Sequence, residues 1–390
     1  VVLPAPVRPG LEVLLSDSVH LVRGRRVGLV TNQAGVDRAG VSGVDRLRAA
    51  GVSLVALFSP EHGFRGTADP GAAVGSTTDS ATGLPIYSLY GENSAPTDRM
   101  LAGVDVLLVD LQDAGARYYT YLWTTVGVLR AAERRHVPVL VLDRPNPIGG
   151  MVQGNVLDPT FQSAVGLLAI PMRHGMTLGE LARLARHDLG LGADLTVIPA
   201  AGWRRTMYFD QTGLPFVPPS PNLPRLDALI HYPGLCLFEG TTLSVGRGTD
   251  HPFEQVGAPD LDTAAVLAFL ARDPVPGVAF GAVRFTPRRP GDGKFADTLV
   301  AGIRLQLTDR ARYDPTIAAL HLLEAVAKTA RRPARLFPSG HAHFSRLFAA
   351  PAEVTRQAFD SGEWAGLARD WPGDLARFRT RRAPFLLYPE

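Results

Sequence analysis

The chain has 390 residues, 46% of them hydrophobic and 20% charged, and carries a net charge of +3. That length exceeds one ordinary core and favours two domains, while the composition is that of a globular protein. No apolar run approaches the roughly 20 residues needed to span a bilayer, and no Lys/Arg cluster is interleaved with aromatics, so neither membrane insertion nor a nucleic-acid partner is expected.

The chain opens Val1-Val2-Leu3-Pro4, with no Met and no signal-like segment. A removed leader and a trimmed start both fit. Arg26–Thr31, Ser53–Ser59, Val104–Leu111 and Val137–Leu142 are short, β-branched-rich apolar runs, the pattern of strands buried on both faces of a parallel sheet. Helical periodicity separates them, over Gly43–Ala50 and over Tyr119–Arg135 with Leu122, Val126, Leu129 and Ala132 on one face. Thr177-Leu178-Gly179-Glu180 predicts a capping box that opens a further helix, and Asp194–Pro199 predicts the next strand. From Trp203 to Pro233 the pattern gives way to a Pro- and Asn-rich stretch, the length of a functional loop or a linker. Cys236 is the only cysteine, which excludes an intrachain disulfide and a thiolate cluster, and its Leu235 and Leu237 neighbours suit a buried position. Val278–Thr286 and Leu299–Thr308 then predict strands, and Asp314-Pro315 caps and starts a helix. The expectation is an α/β fold: a Rossmann-like parallel-sheet N-terminal domain over residues 11–229, and a smaller α+β C-terminal domain over 230–390 that closes a cleft.

In open α/β sheets ligands bind beyond the carboxyl ends of the strands. The segments that follow the first four predicted strands are rich in polar residues, Gly and Pro. They contribute Asn32; Glu61, His62 and Arg65; Asp110, Gln112, Asp113, Arg117 and Tyr119; and Arg144 and Asn146. Pro60 and Gly63 frame Glu61-His62 in a turn that can aim a carboxyl group into a cleft. His62 could orient Glu61, contact a hydroxyl or satisfy a carbonyl. Asp110 and Asp113 could form a metal-binding or acid/base pair, but without clustered His or Cys the better reading is a hydrogen bond to Arg117 or to sugar hydroxyls. A second dense region runs from Glu239 through Arg247 to Thr249, where repeated Gly, Thr and Ser expose amides and Arg247 suits a carboxylate or phosphate. His341-x-His343 reads as surface, and Glu180 as the capping-box partner of Thr177. The first strand-to-helix turn lacks G-x-G-x-x-G, no Walker A sequence occurs, and Ser220 sits in Pro-Ser-Pro and not in a G-x-S-x-G elbow. No cofactor and no metal is expected.

Five motifs in order resemble the bacterial exo-β-N-acetylmuramidases, a family long carried as a domain of unknown function. They are Ser59-Pro60-Glu61-His62-Gly63, Asp110 to Tyr121, Asp143-Arg144-Pro145-Asn146-Pro147, Ser220-Pro221-Asn222, and the stretch from Glu239-Gly240-Thr241 to Gly257-Ala258-Pro259. The resemblance implies a cleft between a Rossmann-like and a smaller domain, and release of terminal β-linked N-acetylmuramic acid from non-reducing ends of peptidoglycan fragments. It also implies that Glu61 is the proton donor, with His62 and Asp110 beside it. Asn32, Arg65, Gln112, Arg117, Tyr119, Arg144, Asn146, Asn222, Glu239, Arg247 and Thr249 are the expected sugar contacts. The group that stabilises the oxocarbenium-like centre stays open: a carboxylate of Asp110 or Glu239, or the substrate's own acetamido group held by Asn146 or Asn222. Arg65, Arg117, Arg144 and Arg247 are available for the lactyl carboxylate. Export is expected, since family members are often exported and the lone cysteine fits. Two other classes remain in view, a non-catalytic cell-wall sugar-binding protein and a nucleotide-sugar enzyme.

Overall fold

The computed structural model describes residues 7–66, 75–330, 336–337 and 341–390. A short helix α1 (Gly10–Asp17) precedes β1 (Arg26–Thr31), α2 (Gly43–Ala49) and β2 (Ser53–Ser59). An edge pair β3 (Thr77–Thr78) and β4 (Pro85–Ser88) follows, then β5 (Val106–Asp110), α3 (Tyr121–Arg135) and β6 (Val139–Leu142). A small antiparallel ribbon of β7 (Gln153–Val156) and β8 (Pro171–Arg173) leads into α4 (Leu178–Asp188) and β9 (Leu195–Ile198).

The described strands of the main sheet are seven, in the order β3-β4-β2-β1-β5-β6-β9, and all but β3 run parallel. After β1 the chain steps to β2 on one side and then returns to β5 on the other, so the strand order reverses at β1. The continuous apolar character of the strands has the predicted cause. Consecutive residues Leu29 and Val30 of β1 fall into separate buried clusters on opposite faces of the sheet, as do Leu57 and Phe58 of β2. The capping box at α4 is present: Thr177 accepts from the Glu180 amide, and Glu180 accepts from the Thr177 amide. Glu180 also pairs with the buried Arg205, a partner the sequence did not suggest.

The Pro-rich stretch ends sooner than expected, because α5 (Leu226–Leu235) forms within it and carries Pro233 near its last turn. Beyond it lie β10 (Gln255–Ala258), α6 (Thr263–Leu270), β11 (Val278–Phe285), β12 (Val300–Leu307) and α7 (Pro315–Thr329). The three strands form an antiparallel sheet in the order β10-β12-β11. Asp314 caps α7 by accepting from the Thr316 and Ile317 amides, and Pro315 takes the first position, where no amide is needed. The helices α8 (Ala342–Phe348), α9 (Ala352–Ser361) and α10 (Trp371–Arg382) complete the fold.

One buried cluster runs from Val30, Phe58 and Val109 of the main sheet through Leu229 and Leu235 of α5 to Ile303 of β12 and Leu323 of α7. The two parts therefore share apolar core, which fixes the walls of any cleft between them.

Candidate active site

A cleft of about 710 Å³ opens beyond the carboxyl ends of β2 and β5. One wall carries Glu61, His62, Tyr90, Tyr119, Thr120 and Trp123. The facing wall carries Asn222, Tyr232, Glu239, Arg247, Phe253 and His343.

The turn after β2 closes through the Gly63 amide, which donates to the Pro60 carbonyl at 3.1 Å. Gly63 has the positive φ that the sequence predicts, 76°, but His62 shares it at 72°. A non-glycine residue in that region costs about 1–2 kcal/mol. The surrounding structure holds this strain beside the one carboxyl group that the turn presents to the cleft. Glu61 is 8% exposed. The Thr120 hydroxyl, at the start of α3, donates to its Oε2 at 2.6 Å. The Tyr90 hydroxyl also bonds to it, and burial together with the Glu61 charge pushes the Tyr90 phenol up to about 12. Two hydroxyls thus bond to the carboxyl group.

The facing wall is built on close backbone approach. A Cβ at Gly240 would come within 2.4 Å of the Phe344 Cα, so only glycine lets α8 lie against the Glu239–Gly240 turn. Arg247 donates through Nε to Glu239 Oε1 at 2.6 Å and lies over the Phe253 ring. Its Nη1 is buried and has no hydrogen-bond partner among the described residues. Lys294 donates to the carbonyls of Phe238, Glu239 and Leu243 and pins the turn from behind; burial lowers its ammonium pKa. Cys236 is buried with its thiol toward Glu239 at 3.6 Å, and burial raises its pKa well above the ordinary value. That favours the inert hydrophobe over a nucleophile.

Of the residues expected in the site, Glu61, His62, Tyr119, Asn222, Glu239 and Arg247 stand on the cleft. The others are spent elsewhere, each for a visible reason. Asp110, expected beside Glu61, is wholly buried and takes a two-pronged bond from Arg144, whose Nε reaches Oδ1 at 2.6 Å and whose Nη2 reaches Oδ2 at 3.0 Å. Neither group lines the cleft. Arg117 donates to the carbonyls of Asn155, Ile170, Leu347 and Phe348. The last two belong to the final turn of α8, where carbonyls lack helical partners and a cation is favoured. Gln112 donates to the Asp113 and Pro145 carbonyls. Asn146 closes its own turn, accepting from the Ile148 amide and donating to the Met176 carbonyl. Thr249 is used within its loop, donating to the Gly246 carbonyl. Arg65 is exposed and lines a separate hollow with Asn32 and Asp45.

Asn32 acts at one remove. It donates to the Tyr121 hydroxyl at 2.6 Å; Tyr121 and Tyr119 both donate to the Pro219 carbonyl, and Gln33 donates to that of Pro218. The β1 tip thereby holds the Pro-Ser-Pro-Asn segment that delivers Asn222. Tyr90, Thr120, Trp123 and His343 reach the cleft without having been expected there. Thr120 and Trp123 sit in or beside a quoted motif, so position was the available signal. His343, read as ordinary surface, comes to the cleft because α8 docks on Gly240. No group of three or more His, Cys, Asp or Glu among the described residues could hold a metal ion, and no described helix is long and apolar enough to cross a membrane.

A family model described as "Exo-beta-N-acetylmuramidase NamZ, N-terminal" matches residues 27–227, and its C-terminal counterpart matches residues 230–388. A Bacillus subtilis (strain 168) protein named peptidoglycan beta-N-acetylmuramidase NamZ is 44% identical over 322 residues, 82% of this chain and 77% of that protein. Two crystal structures of DUF1343 family proteins from Bacteroides fragilis NCTC 9343 are also similar. One has TM-score 0.89 and 33% identity, covering 98% of this chain and 99% of its own. The other has TM-score 0.78 and 32% identity, covering 99% and 100%.

Proposed function

We propose that this chain, which belongs to the exo-β-N-acetylmuramidase family, releases terminal β-linked N-acetylmuramic acid from peptidoglycan fragments with Glu61 as its general acid. The observation that carries this reading is a carboxyl group 8% exposed, on a strained turn at a strand's carboxyl end, clamped by the Thr120 hydroxyl at 2.6 Å and facing a cleft of sugar-binding size. Glycoside cleavage needs an acid held against the leaving oxygen, and a carboxyl group oriented by hydrogen bonds supplies it with little reorganisation. Asp110 has no part in this step, because Arg144 takes both its oxygens in the core. Of the two carboxylates weighed as the second group, Glu239 is the one on the cleft wall.

The lactyl carboxylate of the substrate calls for a cation. Of the four arginines available by sequence, Arg247 alone lines the cleft among the described residues, with Glu239 fixing its plane and Nη1 left without an acceptor. A site outside the cytoplasmic membrane, where peptidoglycan lies, fits this substrate; fractionation of the producing cells tests it.

Glu61→Gln keeps the shape and removes the proton. Its kcat on a chromogenic β-N-acetylmuramide is expected to fall about 10²–10⁴-fold with thermal unfolding unchanged. Retention of more than about a tenth of the wild-type rate would sink the assignment.

A further inference from the structure

We infer that Trp123 is the platform for the leaving sugar, the hexosamine that follows the released residue, and so sets the enzyme's preference for what it cleaves muramic acid from. The inference rests on Glu61 as the acid and extends that reading to the far side of the scissile bond.

Three of the four tryptophans are core residues: Trp203, Trp364 and Trp371 are 2%, 0% and 6% exposed. Trp123 is half-buried and opens on the cleft. Its ring packs against the main buried cluster and, only half-buried, also lines the cleft, with no aromatic contact among the described residues. A tryptophan in that position suits a ligand with one apolar face and one polar rim. A pyranose has this character, since its axial C–H groups lie together and its hydroxyls point outward.

Helix geometry decides which sugar it meets. Thr120, Trp123 and Thr124 are spaced i, i+3, i+4 and all line the cleft, so one face of the first turn of α3 is turned to the ligand. Thr120 on that face holds the Glu61 carboxyl. The acid must touch the oxygen between the two sugars. The muramic acid ring extends toward Arg247 on the facing wall, which leaves the α3 face to the departing sugar. Trp123 is then a binding residue whose contact is made with the leaving group and not with the ring that becomes the oxocarbenium-like centre.

Two substrates separate the possibilities: a muramyl–hexosamine disaccharide, and methyl β-N-acetylmuramide, which has no second ring. Trp123→Ala is expected to lower kcat/KM for the disaccharide about 10–100-fold, mostly through KM, the size of a lost large apolar contact. The methyl glycoside should change by less than about twofold, and Trp123→Phe should recover most of the disaccharide rate. Equal losses on both substrates would overturn the inference in favour of a contact to the muramic acid ring or a structural role, and an unchanged disaccharide rate would overturn it outright. Inactivity of the wild-type protein on both substrates would instead remove the parent reading, and this one with it.

Discussion

Arg247 and Arg144 have the same side chain and opposite uses, and the difference lies in what each guanidinium has left to give. Arg144 spends Nε and Nη2 on both oxygens of Asp110 and on the Val36 carbonyl, at the carboxyl edge of the sheet. Arg247 gives Nε to Glu239 and keeps a buried Nη1 without an acceptor among the described residues. Arg247 also lines the cleft, where its guanidinium can meet a ligand carboxylate. Replacing Arg247 by Gln should therefore weaken product inhibition by N-acetylmuramic acid about 10–100-fold, as expected for a hydrogen bond to a charged group. Inhibition by the lactyl methyl ester, which has no charge to read, should barely move. Equal weakening of acid and ester would show that Arg247 shapes the pocket and does not read the carboxylate.

At the scale of elements, α5 explains how the facing wall is anchored, and it carries a pH signature. His231 on this helix is buried with its Nδ1 2.7 Å from the Tyr313 hydroxyl, and burial pushes its pKa from 6.5 down to about 3. The unfolded chain takes up a proton at this residue below about pH 6.5 while the folded chain does not, so its contribution to stability is present above that pH and is lost as pH falls toward about 3. Asp143 acts in the opposite sense over a narrower window. Its carboxyl is raised from 3.8 to about 6 by burial, so the folded state holds the extra proton there and stability falls as pH rises across that range. Denaturant unfolding from pH 7 to pH 4 should show acid destabilisation in the wild type and a shallower slope in His231→Phe. An unchanged slope would mean that His231 is not held neutral in the fold.

Across the whole molecule, the last residues return to the first domain. The Tyr388 hydroxyl donates to Asp143 Oδ2 at 2.6 Å and accepts from the Ala200 amide at 2.9 Å, and its ring meets Trp203 edge-on. The Leu387 amide donates to Glu180, which already pairs with Arg205. This clasp is remote from the cleft and ties the chain's end to α4 and the tips of β6 and β9. Tyr388→Phe strips one donor from a buried carboxylate and orphans one amide, so it should cost about 1–3 kcal/mol. Thermal unfolding should drop by a few degrees while turnover at 25 °C stays at the wild-type level. A loss of turnover in the folded variant would mean that the clasp and the cleft are coupled.

The strands β1 and β2, the capping box of α4 and the Asp314-Pro315 start of α7 were legible in the sequence, because each is fixed by neighbours in the chain: an apolar run, a hydroxyl three residues from a glutamate, a proline where no amide is required. The turn at Glu61 belongs with them, since Pro60 and Gly63 shape it locally. The partition of the remaining polar residues was not legible. Asp110, Arg117, Arg144 and Asn146 carry the same chemistry as true cleft residues and sit at the same strand ends. Whether such a side chain meets ligand or protein depends on which distant carbonyl or carboxylate arrives beside it, as Leu347 and Phe348 arrive at Arg117. His343 shows the converse, a surface-like residue drawn to the cleft because Gly240 lets α8 approach. Local order set the elements and the Glu61 turn; only the closing of the chain upon itself decided which polar groups were consumed as structure and which were left on the cleft.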